Sequence, residues 1–101
     1  MYQEMYAHSR YSDKEYAICY WRTITNLEVD FILGDHEVAI EEKSTDHAKT
    51  EHLKGIKAFA QEYEVKTKIL VSNDPLPRLI DDILILPWQV FLEKLWANEI
   101  I

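Results

Sequence analysis

Two neighbouring segments constrain this chain more than any other feature. Residues 28–33 read Glu-Val-Asp-Phe-Ile-Leu and residues 37–43 read Glu-Val-Ala-Ile-Glu-Glu-Lys, with the turn signal Gly34-Asp35 between them. Both have the period-2 pattern of strands, so together they predict a β-hairpin. Alternation sets Val29, Phe31 and Leu33 on one face of the first strand and Glu28, Asp30 and Ile32 on the other. In the second strand it separates Val38 and Ile40 from Glu41 and Lys43. Parity then limits the register. A two-residue loop pairs Val29 with Ile40 and Phe31 with Val38, whereas a four-residue loop pairs Phe31 with Ile40 and Leu33 with Val38. Either keeps the apolar face intact; a three-residue loop would mix polar with apolar side chains.

In both permitted registers Asp30, Glu41 and Lys43 share a face, with Asp30 diagonal to or opposite Glu41 and Glu28 adding a third carboxylate nearby. Like charges so placed destabilise a sheet unless something neutralises them. A hard divalent cation such as Mg²⁺ would do so. Lys43 beside it would stabilise developing negative charge, which is the residue set of phosphodiester chemistry. The bland reading of the same pattern is a solvated strand face.

The rest of the chain reads as an α/β domain. Residues 17–23 form a strand ahead of the hairpin, followed by the turn Thr25-Asn26. A polar stretch at 44–50 leads into a helix near 50–63 with Leu53, Ile56, Phe59, Ala60 and Tyr63 along one stripe. Gly55 inside that helix predicts close approach to another backbone. A strand at 65–72, a proline-marked loop at 73–77 and a short apolar strand at 83–86 follow. Pro87 then opens a helix near 88–97 that carries Trp88, Phe91, Leu92, Leu95 and Trp96. These read as core, and any exposed part of that stripe would be a docking surface. Residues 1–15 read as a partial N-terminal helix or arm, and residues 16–101 as the domain proper.

Charge narrows the functions. Eleven Lys and Arg against 18 Asp and Glu give −7, so the chain has no basic excess with which to hold nucleic acid by simple electrostatics. Lys54 and Lys57, on one helix face with Lys43 nearby, are the candidates for contacts to backbone phosphates. His8, His36, His47 and His52 lie on four separate segments without paired spacing, which argues against zinc. Cys19 reads as a buried small apolar side chain. One cysteine, no signal peptide and no apolar run long enough to span a bilayer point to the cytoplasm.

Several blocks, in order, resemble one family: Tyr20-Trp21-Arg22-Thr23, Leu27 to Leu33, Ala39-Ile40-Glu41-x-Lys43-Ser44, His52 to Phe59, Ile85-Leu86-Pro87-Trp88 and Leu95 to Ile101. They look like the domain of unknown function at the C-terminal end of a group of prokaryotic AAA-type ATPases, a domain similar to PD-(D/E)XK nucleases. The resemblance implies a restriction-endonuclease-like mixed sheet flanked by helices, with Mg²⁺ (or Mn²⁺ as a substitute) as metal. It assigns Asp30 and Glu41 as metal ligands and Lys43 as the motif lysine. Two departures stand out. Glu42 occupies the position between Glu41 and Lys43 that is usually apolar, and is expected to bring a charge into the buried face. The chain also lacks a G-x-x-x-x-G-K-[ST] phosphate-binding loop, so it reads as a fragment or stand-alone form. The leading expectation is a metal-dependent nuclease-like domain. The competing one is a non-catalytic docking or regulatory module for an AAA-type ATPase or for a second copy of itself.

Overall fold

The computed structural model describes residues 1–101. In chain order the elements are α1 (Tyr2–Tyr11), β1 (Ile18–Arg22), β2 (Glu28–Leu33), β3 (Val38–Glu42), a 3-10 turn (Thr50–Leu53), α2 (Lys54–Glu62), β4 (Thr67–Ser72), β5 (Arg78–Ile80), β6 (Ile83–Pro87) and α3 (Trp88–Trp96). The fold is mixed α/β. One six-stranded sheet runs in the order β1-β2-β3-β4-β6-β5, with the β3–β4 and β4–β6 pairings parallel and the other three antiparallel.

The hairpin takes the four-residue loop. Phe31 pairs with Ile40, Ile32 with Ala39 and Leu33 with Val38, and Gly34 and His36 turn the chain at positive φ. The alternation expected in β2 is nevertheless broken. Cys19 pairs with Ile32 and Trp21 with Val29, so Tyr20 alone faces both Asp30 and Phe31. This β-bulge re-aims the side chains beside it. Val29 therefore joins Ile32 on the α2 side of the sheet, while Phe31 and Leu33 pack on the opposite side.

The sheet is covered on both faces. Met5 of α1 and Phe91 and Leu95 of α3 pack on Leu33, Ile40, Ile69, Val71 and Leu86. On the other face Leu53, Ile56 and Phe59 pack on Val29, Ile32, Ala39, Leu70, Ile83 and Ile85. Strand β4 lies between parallel neighbours, so Ile69 to Ser72 are all buried. Of the last helix's stripe, Phe91 and Leu95 are buried, Leu92 is half-buried and the two tryptophans stay exposed at its margins.

Three expectations need correction. The N-terminal segment, expected as a partial helix or arm, holds a ten-residue helix. It is tied down by His8, which is hydrogen-bonded to the Tyr16 hydroxyl at 2.9 Å and to Asn98 at 2.7 Å. Cys19 is exposed, because β1 is an edge strand and α2 packs over β2 and β3 instead. Glu42 is exposed too and brings no charge into a buried face, since alternation along β3 turns it away from Glu41. The expected close approach at Gly55 is present: a β-carbon there would lie 2.0 Å from the main-chain oxygen of Glu28.

Candidate functional site

The hairpin ladder ends at Phe31 and Ile40, and side chains take over from backbone at the next position. Glu41 Oε1 accepts the main-chain N–H of Asp30 at 3.1 Å. Asp30 Oδ2 accepts the main-chain N–H of Glu42 at 2.9 Å. Lys43 is held by its own main-chain N–H, which donates to the Val71 carbonyl of β4 at 2.9 Å, and its Nζ stands 3.6 Å from Glu41 Oε2. The structure thus brings together Asp30, Glu41 and Lys43, although the bulge, and not simple alternation, sets the aim of Asp30.

Glu41 is 4% exposed. Burial pushes its carboxyl up from the usual range to about 8, and the hydrogen bond and like charge of Asp30 push the same way. The Lys43 ammonium and the Asp30 main-chain N–H act against that rise without cancelling it. Near neutral pH Glu41 therefore favours its protonated form. A proton or a cation can relieve the repulsion between the acids, and each excludes the other.

Glu41 and Lys43 open onto a cleft of about 200 Å³ between the β2–β3 end and the start of α2. Glu28, His52, Lys54 and Gly55 also line it, and Gly55 lets α2 close down on Glu28. The other sequence candidates divide. Lys54 reaches the cleft; Lys57 does not, being paired with Asp81 at 2.8 Å near the β5–β6 turn. Glu28 borders the cleft, but its carboxylate accepts the Tyr20 hydroxyl at 3.1 Å rather than completing a trio with Asp30 and Glu41. No three His, Cys, Asp or Glu side chains converge as a metal cluster. A larger cavity of about 560 Å³, bordered by Glu4, Glu42 and Trp88, lies beyond Lys43, which lines both.

Sequence reasoning passed over Asp74. Its Oδ2 accepts the Ala48 N–H at 3.0 Å and the Ser72 hydroxyl at 2.6 Å, while Oδ1 accepts Arg78 Nη2 at 2.8 Å. Arg78 in turn donates to the Ala48 carbonyl at 2.6 Å. Burial by itself would raise the Asp74 pKa, yet these hydrogen bonds and the Arg78 charge overcome it and hold the carboxyl below its ordinary value. The cluster fixes residues 44–50, the segment linking Lys43 to the wall that carries His52. Its signal in the sequence was the Ser-x-Asp spacing before the prolines, which marks a side-chain-stabilised turn.

A protein-family model described as a domain of unknown function, DUF4143, matches residues 1–91, a span that includes α1, the hairpin and the first turn of α3. No curated protein and no solved structure matches the chain. With most of its length covered by that match, the chain belongs to the DUF4143 family.

Proposed function

We propose that this domain is a metal-dependent nuclease-like module acting on nucleic-acid phosphodiesters. The observation that carries this reading is the buried Glu41 braced to the half-buried Asp30, with the Lys43 ammonium 3.6 Å from Glu41. The donor set suits a hard cation: two carboxylates on adjacent strands, with no thiolate or imidazole between them, leaving room for water and substrate oxygens as Mg²⁺ prefers. Asp30 and Glu41 would hold Mg²⁺, or Mn²⁺ in its place. When bound, the ion would polarise a phosphoryl oxygen and lower the pKa of water.

The chain's own groups divide the remaining work. Glu41 releases its proton as a cation enters. Asp30 is kept in orientation by the Glu42 N–H. Lys43 offers fixed positive charge to the oxygen that becomes more negative as phosphorus is attacked. The element order, a helix, a three-strand meander, a second helix and a parallel strand, supports the PD-(D/E)XK reading, since a mixed sheet flanked by helices is what that resemblance implies.

The test is incubation with plasmid and with single-stranded DNA in Mg²⁺ or Mn²⁺. Cleavage that is lost in Asp30→Asn and Lys43→Ala supports the reading; intact substrate under both metals contradicts it. We further propose a cytoplasmic location and an AAA-type ATPase partner, as the family resemblance implies.

A second reading, a non-catalytic docking module, is favoured by the aromatic surface of α1 and α3. Tyr2, Tyr6, Tyr11 and Trp96 are all exposed, with Tyr11 edge-on to Trp96 at 6.1 Å. Under it the chain self-associates or binds an AAA-type ATPase, and Tyr11→Ser with Trp96→Ser abolishes the complex. A monomer by light scattering that shows no binding to the purified ATPase contradicts it.

A further inference from the structure

The cleft has a second wall, made by the 3-10 turn ahead of α2, and His52 stands in it. Its Nδ1 accepts the main-chain N–H of Lys49 at 2.8 Å, while the His52 N–H donates to the Lys49 carbonyl at 2.9 Å. A neutral ring whose Nδ1 is an acceptor carries its proton on Nε2. That Nε2–H has no hydrogen-bond partner within the protein, and the ring borders the cleft. His52, with a donor of fixed tautomer, therefore lines the same cleft as Glu41 and Lys43.

Lys54, two residues on, borders the cleft as well. Lys57, Lys68 and Lys94 are each engaged by a carboxylate, but Lys54 is not. Of the acids at the rim, Glu28 is occupied by the Tyr20 hydroxyl and Glu51 is exposed. Two lysines and one imidazole N–H share the border of about 200 Å³ with Glu28, Glu41 and Glu51, and supply the donors there for non-bridging phosphate oxygens.

The geometry points to a phosphate subsite in which His52 Nε2–H and Lys54 hold a phosphodiester of the substrate strand against Glu41 and Lys43. The inference rests on the phosphodiester reading of this cleft and deepens it: His52 and Lys54 position the strand by its backbone, without regard to base sequence.

Binding and cutting separate the two claims. A short fluorescent oligothymidylate is titrated at low salt in EDTA, beside the same oligomer with uncharged methylphosphonate linkages. The charged oligomer is expected to bind at least about tenfold more tightly. His52→Glu keeps an acceptor for the Lys49 N–H, as a capping-box glutamate does. It should melt with the unsubstituted chain yet lose about tenfold in affinity for the charged oligomer. His52→Gln, which keeps both an acceptor and a donor, should retain most of the binding.

Equal binding of the two oligomers overturns the proposal, and so does a His52→Glu chain that binds as the parent does. Displacement of the oligomer by equimolar inorganic phosphate overturns its assignment to a strand. A chain that shows the expected binding but never cuts DNA contradicts the hydrolytic reading and leaves the subsite standing. Cleavage with unchanged KM and kcat in His52→Glu overturns the subsite alone.

Discussion

Asp30 and Glu41 cross-brace the end of the β2–β3 hairpin: Glu41 accepts the Asp30 main-chain N–H, and Asp30 accepts the N–H of Glu42, the residue after its partner. Glu41 is thereby held in a buried position beside the half-buried Asp30, where a second negative charge is costly. The Lys43 ammonium, 3.6 Å from Glu41, offsets part of that cost, and a proton or a metal ion can offset the rest.

The proton leaves a signature in stability. Glu41 has a folded-state pKa of about 8 against an ordinary 4.5, so between those values the folded chain binds a proton that the unfolded chain has released. Stability therefore falls as pH rises through this window. Glu41→Gln keeps an oxygen for the Asp30 N–H and removes the titration. Urea unfolding should show the parent losing on the order of 1–3 kcal/mol from about pH 5 to about pH 9, with the Gln variant nearly flat and the more stable above about pH 8.

Asp74 obeys the opposite sign. Its pKa is lowered on folding, so its contribution is present at neutral pH and is lost as pH falls below the ordinary 3.8. Asp74→Asn should cost about 2–4 kcal/mol at pH 7, because the Arg78 guanidinium, whose charge Asp74 offsets, is then left uncompensated. Chemical denaturation checks the loss, and the difference between parent and variant should shrink in acid.

Gly55 sets the width of the cleft. A methyl group there meets the Glu28 carbonyl oxygen at 2.0 Å, and backbone on both sides leaves nothing flexible to yield. Gly55→Ala should destabilise by about 2 kcal/mol or more despite the better helix propensity of alanine. A thermal melt reads this directly.

Much of this arrangement was legible in the sequence. Val38 and Ile40 against Phe31 and Leu33 left only two hairpin registers, and both brought Asp30 near Glu41. What the pattern concealed was the bulge at Asp30 and Phe31, since no glycine or proline marks it and two strand residues facing one look like ordinary alternation. Helix α1 was obscure for a different reason. Its buried positions are Met5, His8 and Ser9, and the partners that satisfy His8 are Tyr16 and a residue 90 positions away, Asn98. Strand β5 was missed because Asp81 and Asp82 turn the β5–β6 hairpin at positive φ in place of the usual glycine. His52, read only as one of four scattered histidines, acquires its place in the cleft from a turn whose geometry local propensity does not encode.

The metal leaves its own signature, and one measurement reads it most directly: the thermal midpoint at about pH 8, where the proton on Glu41 competes less than at about pH 6, with and without millimolar Mg²⁺ or Mn²⁺. The account predicts a midpoint that climbs with metal concentration, climbs less at about pH 6, and does not respond in Asp30→Asn. A midpoint that ignores both metals at either pH, or that rises equally in Asp30→Asn, would contradict a cation shared by Asp30 and Glu41.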